Sequence, residues 1–372
     1  MSRALRLLFF GSDDFALPTL KALHRCAGAG GNVAALDCVC PARHNFRGRR
    51  GLLPVAAYAE EHGLRVHPVG AEHRGTLAAW EPPAAGAFDL AVVVSFGYFL
   101  PPRLLRRFPL GAVNLHPSLL PRWRGASPVQ HTLLGGDARA GVSVIDVHPT
   151  RMDGGDVLLQ RELPGFDASA AAGVTHAALR ADLAAFGARC VADVAGGGRD
   201  AFAAAREAAV PQGALLRASG DADADADDEH AQPRAPKVTK AMSEVVFADE
   251  GAEAAFRRWR ALGDGAAGGG GCWATLAGRH VRIVEMGGVC VDDDGDGGGG
   301  GGANDGGGAG AWRLERRCRV QGGQVFDRAL TVVCADGARV AVTRMGMETK
   351  KTTTGEAFKN GYFATLGDQR FA

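Results

Sequence analysis

Residues 112–121 read AVNLHPSLLP, an apolar run that ends in an imidazole and a loop with two prolines. A short run of this kind is typical of a buried strand, and the prolines stiffen the loop that leaves it. Similar runs recur along the first 205 residues, separated by segments with helical spacing or by turn residues. This alternation predicts an α/β domain with a parallel sheet. The predicted strands are Leu5–Phe10, Val33–Val39, Asp89–Ser95, Ala112–Leu115, Gly141–Val147 and Val157–Arg161, and the predicted helices are Phe15–Cys26, Leu53–His62, Pro128–Leu134 and Thr175–Val194.

A second module is predicted at residues 237–372. Residues 206–236 contain an alternating Asp/Ala run that has no apolar face to bury, so this segment predicts an exposed linker. Beyond it, one helix and several short strands predict a small β-barrel, interrupted by glycine-rich insertions at 265–271 and 292–311. The helix is predicted at Glu253–Ala261 and the strands at Cys272–Leu276, His280–Glu285, Ala329–Cys334 and Arg339–Thr343.

Composition excludes several classes of protein. The chain has 372 residues, of which 46% are hydrophobic and 22% charged, and its formal net charge is +1. No stretch approaches the roughly 20 apolar residues needed to span a bilayer, so no membrane association is expected. The eight cysteines are scattered without a Cys-x-x-Cys pair, which argues against zinc and redox sites and favours buried, reduced thiols. No metal is therefore expected, and no secretory signal is expected before the first strand.

Local charge is more informative than net charge. The second module carries 13 Arg and 5 Lys against 17 acidic residues, five of which lie within the insertion at 292–311. Without that insertion the module is basic by six charges, which fits either binding to a nucleic acid backbone or an ordinary solvated face. A basic loop at 43–50 (RHNFRGRR) has the same two interpretations, and its Phe46 is suited to stacking on a base.

Asn114, His116 and Asp153 are the candidate catalytic residues. Asn114 and His116 come at the end of a predicted strand and are two positions apart, so both side chains address the same side of it. Asp153 lies in the turn RMDGGD at 151–156, where it can orient the imidazole, and Asp156 is the competing acid. An amide, an imidazole and a carboxylate are the groups needed to move an acyl carbon between two nitrogens. A structural histidine and a plain turn aspartate are the alternatives.

The turn FGSDD at 10–14 lacks the Gly-x-Gly-x-x-Gly fingerprint, which argues against a bound dinucleotide. Three stretches resemble those of methionyl-tRNA formyltransferases from bacteria and organelles: FFGSDDF at 9–15, VSFGY at 94–98 and NLHPSLLPRWRG at 114–125. The resemblance covers nearly the whole chain. It implies a parallel-sheet, Rossmann-like formyltransferase domain at 1–205, the linker at 206–236 and an OB-like barrel at 237–372.

The same resemblance implies the reaction: formyl transfer from 10-formyltetrahydrofolate, the co-substrate, to the α-amine of initiator methionyl-tRNA during translation initiation. It assigns catalysis to Asn114, His116 and Asp153. It assigns folate binding to Phe96, Gly97, Tyr98, Ser118, Leu119, Leu120 and Pro121, and tRNA binding to Arg43, Arg47, Arg49, Arg50, Lys237 and Lys240. A monomer in the mitochondrial matrix is expected, with a plastid as the alternative compartment.

Two other functions remain open from the sequence. The signature at 114–125 is shared with formyltransferases that act on amino sugars or purine precursors, so it indicates the reaction and not the acceptor. A catalytically inactive RNA-binding relative is the second alternative. The glycine insertions, and the lack of the family's tryptophan soon after Lys240, are departures that bear on the barrel and leave the catalytic motif unchanged.

Overall fold

The computed structural model describes residues 4–28, 30–42, 45–46, 49–50, 52–73, 75–82, 87–167, 169, 173–219, 232–264, 271–291, 308–347, 350–363 and 370–371. The chain divides into two compact units. The first consists of Met1–Pro128, Ala140–Pro164 and Arg180–Pro236, and the second of Val129–Arg139, Gly165–Leu179 and Lys237–Ala372.

The helices are α1 (Leu17–Arg25), α2 (Pro54–Glu61), α3 (Pro102–Leu105), α4 (Pro128–Gly135), α5 (His176–Ala195), α6 (Gly198–Glu207), α7 (Gln212–Ser219), α8 (Ala252–Leu262) and α9 (Gly355–Phe358). The strands of the first unit are β1 (Leu5–Gly11), β2 (Val33–Pro41), β3 (Asn45–Phe46), β4 (Arg49–Arg50), β5 (Val66–Val69), β6 (Leu90–Val94), β7 (Ala112–His116), β8 (Arg124–Gly125), β9 (Gly141–Asp146), β10 (Val157–Glu162) and β11 (Arg234–Ala235).

A seven-stranded sheet organises the first unit, in the order β10-β9-β7-β6-β1-β2-β5. The five strands from β7 to β5 are parallel, which confirms the predicted Rossmann-like sheet. β9 runs antiparallel to β7, and β10 runs antiparallel to β9. From Leu7 onward the central strand β1 is buried on both faces, so this part is continuously apolar rather than alternating. Its Phe10 packs edge-to-face against Trp80, Phe96 and Phe108.

The second unit contains an antiparallel barrel formed by β12 (Cys272–Leu276), β13 (Arg279–Val291), β14 (Trp312–Val320), β15 (Val325–Val333), β16 (Arg339–Met347) and β17 (Thr353–Thr354). Neighbouring strands pair in sequence order, and an additional pairing of β13 with β16 closes the strands β13 to β16 into a ring. A closed ring leaves fewer unpaired strand edges than an open sheet. The predicted α/β domain followed by a small barrel is therefore confirmed.

Strands β5 and β14 are absent from the sequence-based prediction. β5 is four residues long and contains a proline, which weakens a strand pattern. In β14, buried Trp312, Cys318 and Val320 alternate with exposed arginines, so the period of two is present but the arginines make the segment look polar. Within 206–236, predicted as an exposed linker, the described residues include the end of α6, all of α7 and β11. Exposure is wrong for Gln212 and Ala235, which are buried by these elements, and the Asp/Ala run lies outside the described residues. The domain boundaries at 205 and 236 stay predictions.

Candidate active site

Strand β7 brings Asn114 and His116 to the same face of the sheet. The two residues alternate with Leu115, whose side chain is buried on the opposite face. His116 is 4% exposed, whereas Asn114 is half-buried. In the part of the chain that the structure describes, the Asn114 side-chain amide has no hydrogen-bond partner. A half-buried amide without a partner is able to donate to a ligand at this face.

Both nitrogens of the His116 ring face protein groups. Nε2 lies 3.0 Å from the carbonyl oxygen of Trp123, and because a carbonyl only accepts, Nε2 carries the proton of this hydrogen bond. Nδ1 lies 3.7 Å from Oδ1 of Asp153, which is longer than a hydrogen bond. The Asp153 carboxylate is therefore placed to attract a positive charge on the ring and to orient Nδ1 toward itself.

Asp153 is fixed at several atoms. Its backbone has a φ of 54°, in the left-handed region that few residues other than glycine adopt. Its second carboxylate oxygen, Oδ2, accepts the backbone N–H of Gly125 at 2.9 Å. Its carbonyl oxygen accepts the Nε2 of Gln212 at 2.7 Å, and the same Nε2 donates to the carbonyl of Gly155 at 2.8 Å. Side chain and backbone of Asp153 are thus held separately.

The strand that precedes Asp153 differs from the predicted parallel sheet. Asp153 does not follow a parallel strand. It follows β9, which runs antiparallel to β7 with Asp146 opposite Val113. The carboxylate reaches His116 from the loop between β9 and β10, and not from the carboxyl end of a neighbouring parallel strand. The competing acid, Asp156, is exposed, and its carbonyl accepts the backbone N–H of Asp146.

The loop after β7 is held by two polar residues on neighbouring strands. Ser143, on β9 and opposite His116, is fully buried and donates its hydroxyl to the carbonyl of Ser118 at 2.7 Å. The Ser143 hydroxyl also accepts the backbone N–H of Leu120 at 3.1 Å. Gln160, on β10, donates to the Leu120 carbonyl at 2.8 Å. The Leu120–Pro121 peptide bond is cis. The hydrogen bonds of Ser143 and Gln160 fix the loop that presents the Trp123 carbonyl to His116.

A segment next to the predicted barrel entry packs onto the same loop. Strand β11 pairs in parallel with β8, and the backbone N–H of Trp123 donates to the carbonyl of Pro233 at 2.9 Å. Gly125 has a φ of 132°, and a Cβ at this position would lie 2.3 Å from the carbonyl oxygen of Ala235. Only glycine therefore allows this close pairing.

The residues expected to bind folate fall into two groups. Phe96 is buried in the core, with its ring 5.3 Å from Phe10, while Gly97 is exposed and Tyr98 is half-buried. Ser118 is 2% exposed, and its hydroxyl donates to the Arg122 carbonyl. Leu119 is half-buried, whereas Leu120 and Pro121 are buried.

The residues expected to bind tRNA are only partly described. Arg43 and Arg47 lie outside the described residues. Arg49 and Arg50 form β4, which pairs with β3 in a two-stranded hairpin. Lys237 and Lys240 are exposed.

Sequence reasoning missed Gln212, Arg124, Ser143 and Gln160. Ser143 was detectable as the lone hydroxyl in an apolar strand, and Arg124 lies in the quoted stretch 114–125. Nothing in the local sequence distinguishes Gln212 or Gln160.

Metal sites and membrane-spanning helices were searched for among the described residues alone. These residues contain no group of three or more His, Cys, Asp or Glu side chains that could hold a metal ion. No described helix is both long and apolar enough to cross a membrane.

Comparisons with known proteins bear on the family and on the fold. Residues 18–185 match the family model described as formyl transferase. A methionyl-tRNA formyltransferase from Rhizorhabdus wittichii is 32% identical over 98% of this chain and 98% of its own length. The mitochondrial methionyl-tRNA formyltransferase of Bos taurus is 31% identical over 70% of this chain, and the aligned part spans only 57% of that relative.

Solved structures share the fold. The N-formyltransferase from Helicobacter canadensis, in complex with folinic acid and dTDP-3-aminofucose, superposes with a TM-score of 0.53 over 91% of this chain and 98% of its own. At 11% sequence identity this match shows the fold alone. The family follows from the sequence match over nearly the full length of both proteins: the chain belongs to the methionyl-tRNA formyltransferase family.

Proposed function

We propose that this protein transfers the formyl group of 10-formyltetrahydrofolate to the α-amine of initiator methionyl-tRNA. One observation carries the chemistry. The partnerless amide of Asn114 lies on the same strand face as His116, whose ring is 3.7 Å from the Asp153 carboxylate. The acceptor is supported by the match to the Rhizorhabdus wittichii relative, which is named methionyl-tRNA formyltransferase and aligns over 98% of both chains.

In the proposed reaction the α-amine attacks the formyl carbon, and a new bond forms between that carbon and the amine nitrogen. The carbonyl electron pair moves to the formyl oxygen, which becomes negatively charged. Collapse of this tetrahedral intermediate re-forms the carbonyl and breaks the bond from carbon to N10 of the folate. The amine loses one proton and N10 gains one, so the transfer is balanced and needs no oxidant or reductant.

Asn114 is the first donor to the developing oxyanion, because its amide is not engaged elsewhere among the described residues. A preorganised donor of this kind contributes on the order of 3 kcal/mol to lowering the barrier. His116 is the second donor in its protonated form, and it must give up one of its two present contacts to reach the oxygen. Asp153 holds the ring and accepts the proton that the amine loses, through water.

We assign folate binding to the residues that the family resemblance indicates. Exposed Gly97 and half-buried Tyr98 belong to one segment, and the backbone of 118–121 forms the other. Phe96 supports these segments from the core, because its ring packs against Phe10 and lies 5.2 Å from that of Tyr98.

We assign tRNA contacts to the basic loop 43–50 and to the exposed Lys237 and Lys240. Phosphate contacts of Lys and Arg make binding salt-dependent, so replacing both lysines should reduce the slope of log Kd against log salt. An unchanged slope would contradict the assignment of these two lysines.

We place the activity in the mitochondrial matrix, with a plastid as the alternative. The bovine and human relatives are both named as mitochondrial proteins. Microscopy of the tagged full-length protein tests the compartment, and a purely cytosolic signal would contradict the proposal.

We further propose that the enzyme is a monomer. Light scattering on the purified protein should then give the mass of one chain.

The deciding experiment follows labelled formyl from 10-formyltetrahydrofolate to four acceptors: initiator methionyl-tRNA, uncharged tRNA, free methionine and a nucleotide-linked amino sugar. Label should appear on methionyl-tRNA only. Transfer to the amino sugar alone would replace the proposed acceptor with a small-molecule amine. Binding of tRNA without transfer to any acceptor would indicate an inactive RNA-binding relative.

A further inference from the structure

We propose that Gln212, with its amide oriented by Arg124, is a positioning residue that sets the Asp153 carboxylate against His116. The inference rests on the proposed function for its kinetic consequences, whereas its structural consequence can be measured without any substrate. Gln212 is the first residue of α7, lies about sixty residues beyond Asp153 in sequence, and is 2% exposed.

The orientation of the Gln212 amide follows from its partners. Nε and Nη2 of Arg124 lie 2.8 and 2.6 Å from Oε1 of Gln212. A guanidinium has donors only, so the atom that faces it must be the amide oxygen. The amide nitrogen then points the other way, where it donates to the carbonyl oxygens of Asp153 and Gly155. Both ends of the buried amide are satisfied, and a reversed amide would place donor against donor.

The same short segment also holds the carboxylate. Arg124 forms β8 with Gly125, whose backbone N–H donates to Oδ2 of Asp153 at 2.9 Å. Gln212 therefore fixes the backbone of Asp153, whereas the Gly125 N–H fixes the Asp153 side chain. This two-point attachment maintains a residue whose φ of 54° is sparsely populated for anything but glycine. Without the Gln212 contacts, the turn loses two backbone hydrogen bonds and the remaining attachment allows the carboxylate to pivot.

Two replacements separate positioning from packing. In Gln212→Glu the shape and the pairing with Arg124 are retained, but the donors are lost and an oxygen is placed against the carbonyls of Asp153 and Gly155. In Gln212→Leu both ends of the contact are removed. Misplacing a reacting group by about 1 Å from a distance costs on the order of 100-fold in rate, so we expect kcat to fall by that order in both variants. The KM for 10-formyltetrahydrofolate should change by less than about threefold, because the hydrogen bonds of Gln212 to described residues go to Arg124, Asp153 and Gly155 and not to the segments assigned to folate.

A double-mutant cycle with Asp153→Asn gives a readout that a purely structural role would not change. If Gln212 acts through Asp153, replacing it in the Asp153→Asn background should lower kcat by less than about threefold, because the group it positions is already lost. Multiplication of the two single-variant losses would overturn the proposal. Gln321→Glu and Gln321→Leu, at a half-buried glutamine in the barrel, are the matched controls and should keep wild-type kcat.

Crystal structures of wild type and Gln212→Glu decide the structural half without substrate. We expect Asp153 to leave its positive φ, or its carboxylate to move away from the His116 ring, in the variant. An unchanged Asp153 in a variant with reduced kcat would overturn the proposal, as would loss of the fold in both Gln212 variants. If wild type fails to formylate methionyl-tRNA while Asp153 moves in the variant, the proposed function fails and the positioning role stands.

Discussion

The Asp153 carboxylate divides its two oxygens between two partners: Oδ2 accepts the Gly125 N–H at 2.9 Å, while Oδ1 faces Nδ1 of His116 at 3.7 Å. The first contact holds the side chain and the second acts on the ring. Mutation can therefore separate the hydrogen bond to Gly125 from the electrostatic effect on His116. The amide oxygen of an asparagine can accept the Gly125 N–H, but the amide carries no negative charge.

Asp153→Asn should therefore fold normally and lose catalysis. Asparagine tolerates positive φ, and its amide oxygen can accept the Gly125 N–H. Loss of the charge and of the proton acceptor should reduce kcat by about 10²–10⁴-fold, the usual contribution of a positioned acid or base. Single-turnover formylation measures the loss, and circular dichroism checks the fold. A rate within about threefold of wild type would remove Asp153 from the mechanism.

Asn114→Ala and His116→Ala should each abolish most of the transfer while leaving tRNA binding nearly intact. Each replacement removes one donor to the oxyanion, and the loss of one such donor costs about 10²–10³-fold in kcat. Filter binding of methionyl-tRNA gives the affinity separately from the rate.

Asn32→Ala is the matched control for this pair. The Asn32 side chain donates to the Gly196 carbonyl. Asn32 directly precedes β2 and is distant in sequence from Asn114, His116 and Asp153. It should lower the melting temperature and leave kcat unchanged. Retained turnover in both Asn114→Ala and His116→Ala would contradict the catalytic assignment.

The sequence was sufficient to predict four of the five parallel strands, β1, β2, β6 and β7, and the placement of Asn114 and His116 on one strand face. Strand periodicity is a local property, so two residues on one strand face can be identified without knowing the fold. The residues alone proposed Asp153 as the acid that orients His116 and left Asp156 as the alternative, and the family resemblance selected Asp153. The support from Gln212 was not predictable, because it joins residues about sixty positions apart through backbone carbonyls, which every residue carries. A single buried glutamine has no sequence pattern that distinguishes it from a solvated one.

Asp89 should make the stability of the protein depend on acidity. The Arg6 guanidinium donates to this buried carboxylate, and this hydrogen bond is the main cause that lowers the pKa of Asp89 from 3.8 to about 2. The Arg6 backbone N–H and the charges of Arg6 and Arg199 act in the same direction, whereas burial opposes the shift. A depressed folded-state pKa stabilises the protein above the unfolded value and loses this contribution as the pH falls from about 4 to about 2. The contribution is on the order of 1–2 kcal/mol, since both arginines are partly exposed.

Chemical denaturation of wild type and Asp89→Asn between pH 2 and 7 measures this contribution. The difference in the free energy of unfolding should be largest near neutral pH and should shrink below about pH 4. A difference that grows toward acid pH would have the wrong sign and would contradict the linkage.

The cysteines should be slow to react in the native protein. Burial raises the pKa of Cys40, Cys272 and Cys334 to about 12, and raises that of Cys38 further. Because the thiolate is the reactive form, few of these groups are activated at neutral pH. A chromogenic disulfide reagent should label all eight cysteines in denaturant and the half-buried Cys26 first in the native state. Rapid native labelling of the four buried thiols, identified by peptide mapping, would contradict their burial.

Gly125→Ala should damage both stability and catalysis, because one atom at this position affects two partners. A Cβ would lie 2.3 Å from the Ala235 carbonyl, so the pairing of β8 with β11 must open. That movement also carries the Gly125 N–H away from Asp153, so the carboxylate loses this hydrogen bond.

Gly63→Ala is the control, because Gly63 has a φ of 68° but nothing within 4 Å of the added atom. The control should lose about 1–3 kcal/mol of stability from backbone strain and keep its kcat, whereas Gly125→Ala should lose more stability and on the order of 100-fold in kcat. Equal kcat in the two variants would mean that the Gly125 N–H does not position Asp153 for the reaction.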